Sequence, residues 1–272
     1  MSPERSAADT SVNRYLFFDI PIWVLGVVTL VLMLGCSEIG FRVGYKARDR
    51  FDEAMRSRTT IFESALLGVL GLLMAFTISM AVTRFETRRQ LVIDEANAIG
   101  TTWLRSKVIP APGDAEFAAL LRQYVDARAA YASRTKLSEL PKSRAQDARL
   151  QTELWSRAVA FAVKDRSVNA SLLLQSLNQS IDLEATRWAF FWGHVPQSVI
   201  YLNALIAMLA SALLGYGFGL IGKRHLVSMV LLAASISGVL SVIVDLDRPW
   251  QGFIKVSQEP MLDLQEHMKN VP

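Results

Sequence analysis

Hydrophobic residues in this chain are gathered into long runs that are separated by polar stretches. The runs cover residues 20–41, 61–82, 195–221 and 226–244. About 20 apolar residues in a helix, at 1.5 Å each, cross a hydrocarbon core of about 30 Å. Carboxylates enter these runs only as Glu38 and Glu63, both near an end, which agrees with the high cost of charge at the bilayer centre. We therefore predict two pairs of transmembrane helices.

The segment between the two pairs has the periodicity of helices. Apolar side chains recur three or four positions apart, as in Phe117, Leu121 and Tyr124, and no stretch alternates with a period of two. The second membrane helix is expected to continue to residue 108, beyond the bilayer, and further helices are expected at 114–140, 143–164 and 167–192. The fold class is therefore all-α, with an extramembrane helical domain built from long hairpins.

The pattern divides the chain into consecutive parts. The first is a polar N-terminal tail, and the last is a C-terminal tail that follows the fourth span. We predict an N-terminal tail at 1–19, transmembrane helices 1 and 2 within 20–82, the extramembrane domain at 83–193, transmembrane helices 3 and 4 within 194–245, and a C-terminal tail at 246–272.

Composition and charge narrow the function classes. The net charge of +4 comes from basic residues spread over loops and helices, not from one aromatic-rich face, so nucleic-acid binding is not expected. Cys36 is the single cysteine, and the three histidines lie far apart, so neither a disulfide nor a zinc site is expected. Nucleotide-binding and nucleophile motifs are absent. We therefore expect no cofactor or metal, and a non-enzymatic membrane protein.

Membrane orientation is left open by the charges. The densest basic loop, residues 42–58, lies on the same side as the turn at Lys223 and Arg224, and this density favours a cytoplasmic location for that side. Arginines also flank the opposite ends of the spans, and a long domain crosses the membrane largely regardless of its charge. Four spans place the helical domain on the side opposite the basic loop, so it is expected outside the cytoplasm, with the inverse topology as the alternative.

Small residues form stripes along the spans. One stripe contains Ser64, Gly68, Gly71, Ala75 and Ser79; the others contain Ala207, Ser211, Gly215 and Gly219, and Ala234, Gly238 and Ser241. Such stripes let membrane helices approach closely, so packing is the first interpretation. The alternative is that Ser64, Thr77 and Ser79 face water in a pore. Gly215–Gly219 also contains the Gly-Tyr-Gly of potassium filters, but it lies within an apolar helix, which argues against a filter.

Charged residues stand close to the ends of the spans. Asp245, Asp247 and Arg248 end the fourth span, where two carboxylates can bind a cation or relay protons, or can simply pair with arginines. Asp94, Glu95 and Asn97 lie on the projecting helix and are expected to pair with Arg88, Arg89 or a neighbouring helix. We favour pairing for both groups, since membrane charges usually pair.

Two motifs carry a resemblance to a known family. The stretch 66–107 contains Gly71-Leu-Leu-Met-Ala-Phe-Thr, Arg84-Phe-Glu and Asp94-Glu-Ala-Asn-Ala-Ile-Gly, and the tail contains Asp245-Leu-Asp-Arg-Pro-Trp and Val256-Ser-Gln-Glu-Pro. These stretches resemble the bacterial bestrophin-like family, a distant relative of bestrophins. Bestrophins are pentameric, anion-selective channels whose second membrane helix lines a hydrophobic neck. No residues here match the aromatic neck or the calcium clasp of animal bestrophins, so calcium gating is not carried over.

The resemblance and the order of the spans imply an ion channel. In this hypothesis the protein is a homo-oligomer, with a pentamer as one possibility, in a bacterial inner membrane, and it conducts small inorganic ions. Leu67, Leu70, Met74 and Ile78 form an apolar constriction, Arg84, Arg88 and Arg89 ring the mouth, and Met74→Ala raises conductance. The alternative is a non-conducting membrane scaffold or sensor whose helical domain binds a partner.

Overall fold

The computed structural model describes residues 20–50, 53–130, 140–248 and 252–270, and within them it contains α-helices, one short 3-10 helix and no strand. The 3-10 helix spans Arg48–Arg50. In chain order the α-helices are α1 (Ile22–Ala47), α2 (Glu53–Ser106), α3 (Gly113–Ala129), α4 (Leu140–Lys164), α5 (Val168–Trp192), α6 (Gln197–Ile221), α7 (Leu226–Asp247) and α8 (Glu259–Asn270).

Four helical stretches of the described residues are long and apolar enough to cross a membrane. Their apolar parts coincide with α1, the first half of α2, α6 and α7, which confirms the predicted all-α membrane fold. Helix α2 has 54 residues and is therefore about 81 Å long, far more than a hydrocarbon core of about 30 Å. It extends beyond the span without interruption, as the absence of internal prolines predicts.

The chain divides into two compact units. A membrane unit comprises the described residues within Met1–Thr83 and His194–Lys255. A helical unit comprises Arg84–Gly193 together with the segment that begins at Val256. Helix α2 passes from the first unit into the second, and the predicted C-terminal tail contributes to both.

The membrane unit is built around a tight seam between α1 and α6. A Cβ atom at Gly40 would overlap the carbonyl oxygen of Ala212, and one at Gly215 would overlap that of Ser37. Gly44 and Gly219 are in close backbone contact in the same way. Without a hydrophobic driving force in lipid, such close van der Waals contact is what holds membrane helices together. The small residues of α6 are thus packing residues.

Helix α7 contacts α1 through only one residue of the predicted small stripe, together with Ser237. Ala234 and Gly238 are exposed, and a Cβ at Gly238 would touch nothing. Ser241 of the stripe does lie against α1, since a Cβ at Gly26 would be 2.9 Å from its hydroxyl oxygen. Beside it, the Ser237 hydroxyl donates a 2.6 Å hydrogen bond to the carbonyl of Gly26. The contact face of α7 therefore contains Ser237 and Ser241, and it leaves Ala234 and Gly238 outside.

The helical unit has a continuous apolar core. Trp103 of α2, Phe117 and Leu121 of α3, Leu154 of α4 and Leu173 of α5 are almost fully buried and belong to one cluster. Met261 and Met268 of α8 lie in the same cluster, so the C-terminal helix is part of this core. The predicted all-α domain thus acquires an additional element from beyond the fourth span.

Two helix ends differ from the expected ones. Helix α3 ends at Ala129 and not near 140; residues 131–139 lie outside the described part. Helix α4 begins at Leu140, so Pro141 occupies the first turn, where its missing N–H costs no hydrogen bond. Helix α5 begins as expected, with the Ser167 hydroxyl accepting from the N–H of Ala170.

Candidate functional site

The predicted constriction residues face inwards on α2. Leu70 is 2% exposed and Met74 is 7% exposed, while Leu67 and Ile78 are half-buried. These side chains pack within a single protomer. A pore wall formed by several copies needs positions that the protomer leaves uncovered, and Leu70 and Met74 are not such positions.

The opposite face of α2 is exposed and carries the predicted stripe of small residues. Ser64, Gly68, Gly71, Ala75 and Ser79 are all exposed, and a Cβ atom at Gly68 or Gly71 would have no neighbour within 4 Å. Large apolar side chains flank the stripe, with Leu72 58% and Phe76 62% exposed. This face is available to a pore, to another copy or to lipid.

A polar contact between two membrane helices lies on the buried face of α2. Asn203 of α6 is fully buried and donates a 2.9 Å hydrogen bond to the hydroxyl oxygen of Thr77. The Thr77 hydroxyl itself donates to the carbonyl of Leu73 at 2.7 Å. In the alternative to packing, Thr77 faces water together with Ser64 and Ser79, but the hydrogen bond with Asn203 lies inside the protomer. Among the three, only the two serines are exposed.

The three candidate mouth arginines have different environments. Arg88 is buried and donates to the carbonyl oxygens of Phe190 at 3.2 Å and of Gly193 at 2.7 Å, so it caps the C-terminal end of α5. Arg89 is exposed and forms an ion pair with Glu86 at 3.3 Å. Arg84 is half-buried beside Gly193. The structure thus gives Arg88 a structural role, and it leaves Arg84 and Arg89 accessible.

Glu95 of the first family motif is the centre of a buried charge cluster in the helical unit. Its carboxylate accepts hydrogen bonds from Arg128 of α3 at 2.6 and 3.1 Å and from Arg187 of α5 at 2.6 Å. Arg128 also contacts Asp147 of α4 at 2.9 Å and Glu184 of α5 at 3.8 Å. Four helices therefore meet at one group of charges.

The cluster changes the acid–base properties of its members. Burial alone would raise the pKa of Glu95, but the guanidinium groups of Arg128 and Arg187 outweigh it and hold that pKa below its usual range. Burial alone would lower the pKa of Arg128, and the carboxylate of Glu95 more than compensates, so that pKa lies above its usual range. Burial raises the pKa of the neighbouring Tyr124 hydroxyl. Glu95 is thus kept as a carboxylate and Arg128 as a cation.

The other polar residues of this motif are on the surface side of α2. Asp94 accepts a 2.9 Å hydrogen bond from Gln90, and Asn97 is exposed. Glu95 therefore pairs with arginines of neighbouring helices, Arg128 and Arg187, and not with Arg88 or Arg89 on its own helix. The motif contributes one buried partner and two surface residues.

The second family motif holds together the end of α7. Asp247 accepts the backbone N–H of Val195 at 2.9 Å and contacts His194 at 3.2 Å. Arg248 is buried and donates a 2.6 Å hydrogen bond to the carbonyl of Ile20. The motif ties the start of the first span and the start of the third to the end of the fourth.

Asp245 has a similar structural role in the loop that follows α7. Its carboxylate accepts the backbone N–H groups of Phe253 at 3.1 Å and Ile254 at 2.9 Å. Gly252, at φ 120°, leaves room for this carboxylate, since a Cβ there would overlap Oδ1. Trp250 lies outside the described residues. These hydrogen bonds to backbone amides favour loop positioning over cation binding.

The glycines of the Gly-Tyr-Gly segment have separate packing roles within α6. Gly215 and Gly219 face α1, whereas Gly217 faces α2, where the Glu63 carboxylate lies at the place of the missing Cβ. The segment is helical throughout. Close contact with two neighbouring helices explains the repeated glycines, and no extended filter strand is present in this segment.

Sequence reasoning missed Arg128, Asp147 and Glu184 as members of a site. Each lies three or four positions from a buried residue of its own helix: Arg128 from Tyr124, Glu184 from Ser180, and Asp147 from Leu150. A charged side chain in register with a buried face is a detectable signal of an internal ion pair. Within the described residues, no group of three or more His, Cys, Asp or Glu side chains could hold a metal ion.

Comparisons with known proteins place the chain in a family. The bestrophin-like domain profile matches residues 44–261. A crystal structure of a bacterial bestrophin homologue from Klebsiella pneumoniae has 13% sequence identity and a TM-score of 0.69, over 90% of this chain and 97% of that chain. The crystal structure of a point variant of that homologue has 15% sequence identity and a TM-score of 0.65, over 92% of this chain and 96% of that chain. No curated protein matches the chain. Since the profile covers most of the sequence and the fold agrees, this protein belongs to the bestrophin-like family.

Proposed function

We propose that this protein is a homo-oligomeric ion channel of a bacterial inner membrane, in which α2 lines the ion pathway. Membership of the bestrophin-like family supports this proposal, since the sequence motifs imply kinship with pentameric anion channels. The fold similarity to a bacterial bestrophin homologue supports the same arrangement of helices. The permeant species are small inorganic ions, and chloride is the first candidate.

The exposed face of α2 is the observation that carries the proposal. Ser64, Gly68, Gly71, Ala75 and Ser79 form a continuous small and weakly polar surface that the protomer leaves uncovered. Small residues allow other copies of α2 to approach closely around an axis. Serine hydroxyls at both ends of the stripe offer hydrogen bonds to water or to an ion.

The apolar constriction belongs on the flank of this stripe. Leu72 and Phe76 are one helical turn apart and largely exposed, unlike Leu70 and Met74. A ring of such side chains from several copies would narrow the pathway and could close it by expelling water. Leu72 and Phe76 therefore replace Leu70 and Met74 as the proposed gate.

In this proposal, Arg84 and Arg89 attract anions to the mouth of the pore. Arg88 is excluded from this role because its guanidinium is buried against backbone carbonyls. Arg89 is partly neutralised by Glu86. A ring of Arg84 side chains would raise the local concentration of anions at one mouth.

The test measures flux and mass together. Purified full-length protein is reconstituted into liposomes for chloride flux and then for sodium flux, and its mass is measured in nanodiscs. Anion flux from a ring of four or more copies of the 30.2 kDa chain supports the proposal. A monomer or dimer without flux across a range of pH, calcium concentration and voltage contradicts it.

A membrane scaffold or sensor is the second candidate, and one surface favours it. Trp155, Val159 and Val163 follow each other at four-residue spacing on α4 and are exposed, with Val163 68% exposed. An apolar stripe outside the membrane is typical of a protein-binding surface. Trp155→Ser with Val163→Ser leaves flux unchanged in the channel hypothesis. Under the scaffold hypothesis, the same variant loses a bound partner protein that co-purifies with the wild type.

A further inference from the structure

Two basic segments that are far apart in sequence lie together at one end of the membrane unit. The first is the end of α1 with its 3-10 helix, and the second is the turn between α6 and α7. Arg224 of the turn forms an ion pair at 3.1 Å with Glu38 of α1. Gly222 lies beside the Arg48 guanidinium, whose Nη1 is 3.7 Å from the position of a Cβ. We call this surface the basic face.

Aromatic rings hold two guanidinium groups of the basic face in place. Arg48 lies over the ring of Tyr45 with 4.2 Å between its Cζ and the ring centroid, and Arg224 lies over Phe41 at 4.6 Å. Stacking on a ring holds a guanidinium in one orientation, with its N–H groups directed towards acceptors at the edge of the ring. These cations are therefore positioned before any ligand arrives.

Positive charge on the basic face exceeds the acidic charge of the described residues around it. Glu38 is shared between Arg42 and Arg224, and Asp49 contacts Arg48. Three further cations, Lys46, Arg50 and Lys223, are exposed and form no ion pair with a described residue. The surface thus holds an excess of cations next to the ends of the spans.

Helix length sets the position of the basic face relative to the bilayer. Helix α1 has 26 residues and is about 39 Å long, so it exceeds a hydrocarbon core of about 30 Å by roughly two turns. Because the apolar run of α1 ends at Phe41, the part beyond the core includes its last turns, and Lys46 is thereby placed at the level of lipid headgroups. Clustered Lys and Arg side chains at that level attract anionic phospholipids.

We propose that the basic face, formed by Arg42, Lys46, Arg48, Arg50, Lys223 and Arg224, binds the phosphate of anionic phospholipid headgroups. The guanidinium groups of Arg48 and Arg224 donate to phosphate oxygens, and the flexible ammonium groups of Lys46 and Lys223 complete the neutralisation. The proposal does not depend on ion conduction, because its test measures retained lipid and not flux.

The experiment uses the full-length protein and two charge-matched triple variants. The test variant is Lys46→Gln, Arg50→Gln, Lys223→Gln on the basic face. The control variant is Lys142→Gln, Arg149→Gln, Arg166→Gln, at exposed positions of the helical unit. Both lose three positive charges. Each protein is purified with a mixture of phosphatidylglycerol and phosphatidylcholine, and retained lipids are counted by native mass spectrometry.

The wild type and the control variant are expected to retain phosphatidylglycerol in preference to phosphatidylcholine. The test variant is expected to lose this preference by about tenfold or more, since each cation near an anionic surface contributes to binding. Equal thermal unfolding of the two variants in phosphatidylcholine alone establishes that the test variant is folded.

Three results would overturn the proposal. One is equal retention of both lipids by the wild type, and another is the same loss in both variants. The third is a thermal stabilisation by inorganic phosphate as large as that by phosphatidylglycerol, which would assign the face to a free anion. A loss confined to the test variant, without an effect of inorganic phosphate, supports the lipid site.

Discussion

Arg128 connects more of the helical unit than any other single side chain described above. It is 3% exposed and reaches carboxylates of α2, α4 and α5 from its place on α3. A buried ion pair contributes little net stability compared with an apolar core, but the loss of one partner leaves a charge without compensation. Arg128 is therefore a position where a single substitution affects four helices.

Replacement of Arg128 by Leu is expected to destabilise the protein by about 3–5 kcal/mol, because Glu95, which keeps Arg187, and Asp147 both lose a buried cationic partner. The matched control is Arg157→Leu, which removes an exposed ion pair with Glu116 and is expected to cost about 1 kcal/mol or less. Thermal or chemical unfolding of the full chain in detergent measures both. Similar losses for the two variants would mean that the cluster is solvated.

Low pH is expected to reduce the free energy of unfolding of the helical unit, because Glu95 becomes protonated. Because the pKa of Glu95 is lower in the folded state, its contribution to stability is present above the unfolded pKa of about 4.3. That contribution falls as the pH drops below about 4.3 towards the folded pKa. Unfolding measured from pH 7 to pH 3 is expected to show a smaller decrease for Glu95→Gln than for the wild type, although Glu95→Gln is less stable at pH 7. Parallel pH profiles would contradict this assignment.

Among the elements, the seam between α1 and α6 depends on glycines more than on any side chain. A notch at Gly40 and another at Gly215 bring two helix backbones into contact. The sequence predicts that α6 uses its small residues for packing, because they recur at four-residue spacing. It does not predict that α1 is the partner, because pairing between distant helices depends on complementary surfaces that only the assembled structure reveals.

Gly40→Ala is expected to destabilise the membrane unit by about 1–3 kcal/mol, since its Cβ would overlap the backbone of α6. Gly35→Ala lies on the same helix, where a Cβ would meet nothing within 4 Å. It is expected to be neutral or to stabilise by up to about 1 kcal/mol through helix propensity. Thermal unfolding in detergent compares the two variants. An equal effect of both substitutions would mean that close packing between α1 and α6 does not explain the loss of stability.

At the scale of the whole molecule, the order of the spans, the helix content and the length of α2 could be predicted from the sequence. These features depend on local hydrophobicity and on helix breakers. The face of α2 that is buried within the protomer could not be predicted from the sequence. Ile78 lies next to the small stripe on a helical wheel, whereas Leu70 lies on the side of Thr77, which is buried in contact with Asn203. That contact joins residues from two different spans, which no local pattern encodes.

Conduction by the assembled protein is expected to respond to Phe76 and not to Met74. Phe76→Ala widens the proposed gate and raises single-channel conductance or flux. Met74→Ala leaves a cavity inside the protomer, costs about 2–5 kcal/mol of stability and does not raise flux. Leu209→Ala, on the exposed surface of α6, is the control for truncation of an exposed apolar side chain. Increased flux from Met74→Ala alone would restore the inward face as the pathway.

The seam between α1 and α6 also has a consequence for biosynthesis. Gly40 and Gly215 are separated by 175 positions of the chain. At a synthesis rate of about 5–20 residues per second, α1 leaves the ribosome roughly 9–35 s before its partner helix. During that interval the glycine notches of α1 face lipid or an insertion factor instead of α6. Assembly of the membrane unit therefore takes place late in translation, and a chain truncated before α6 leaves α1 in the bilayer without its partner.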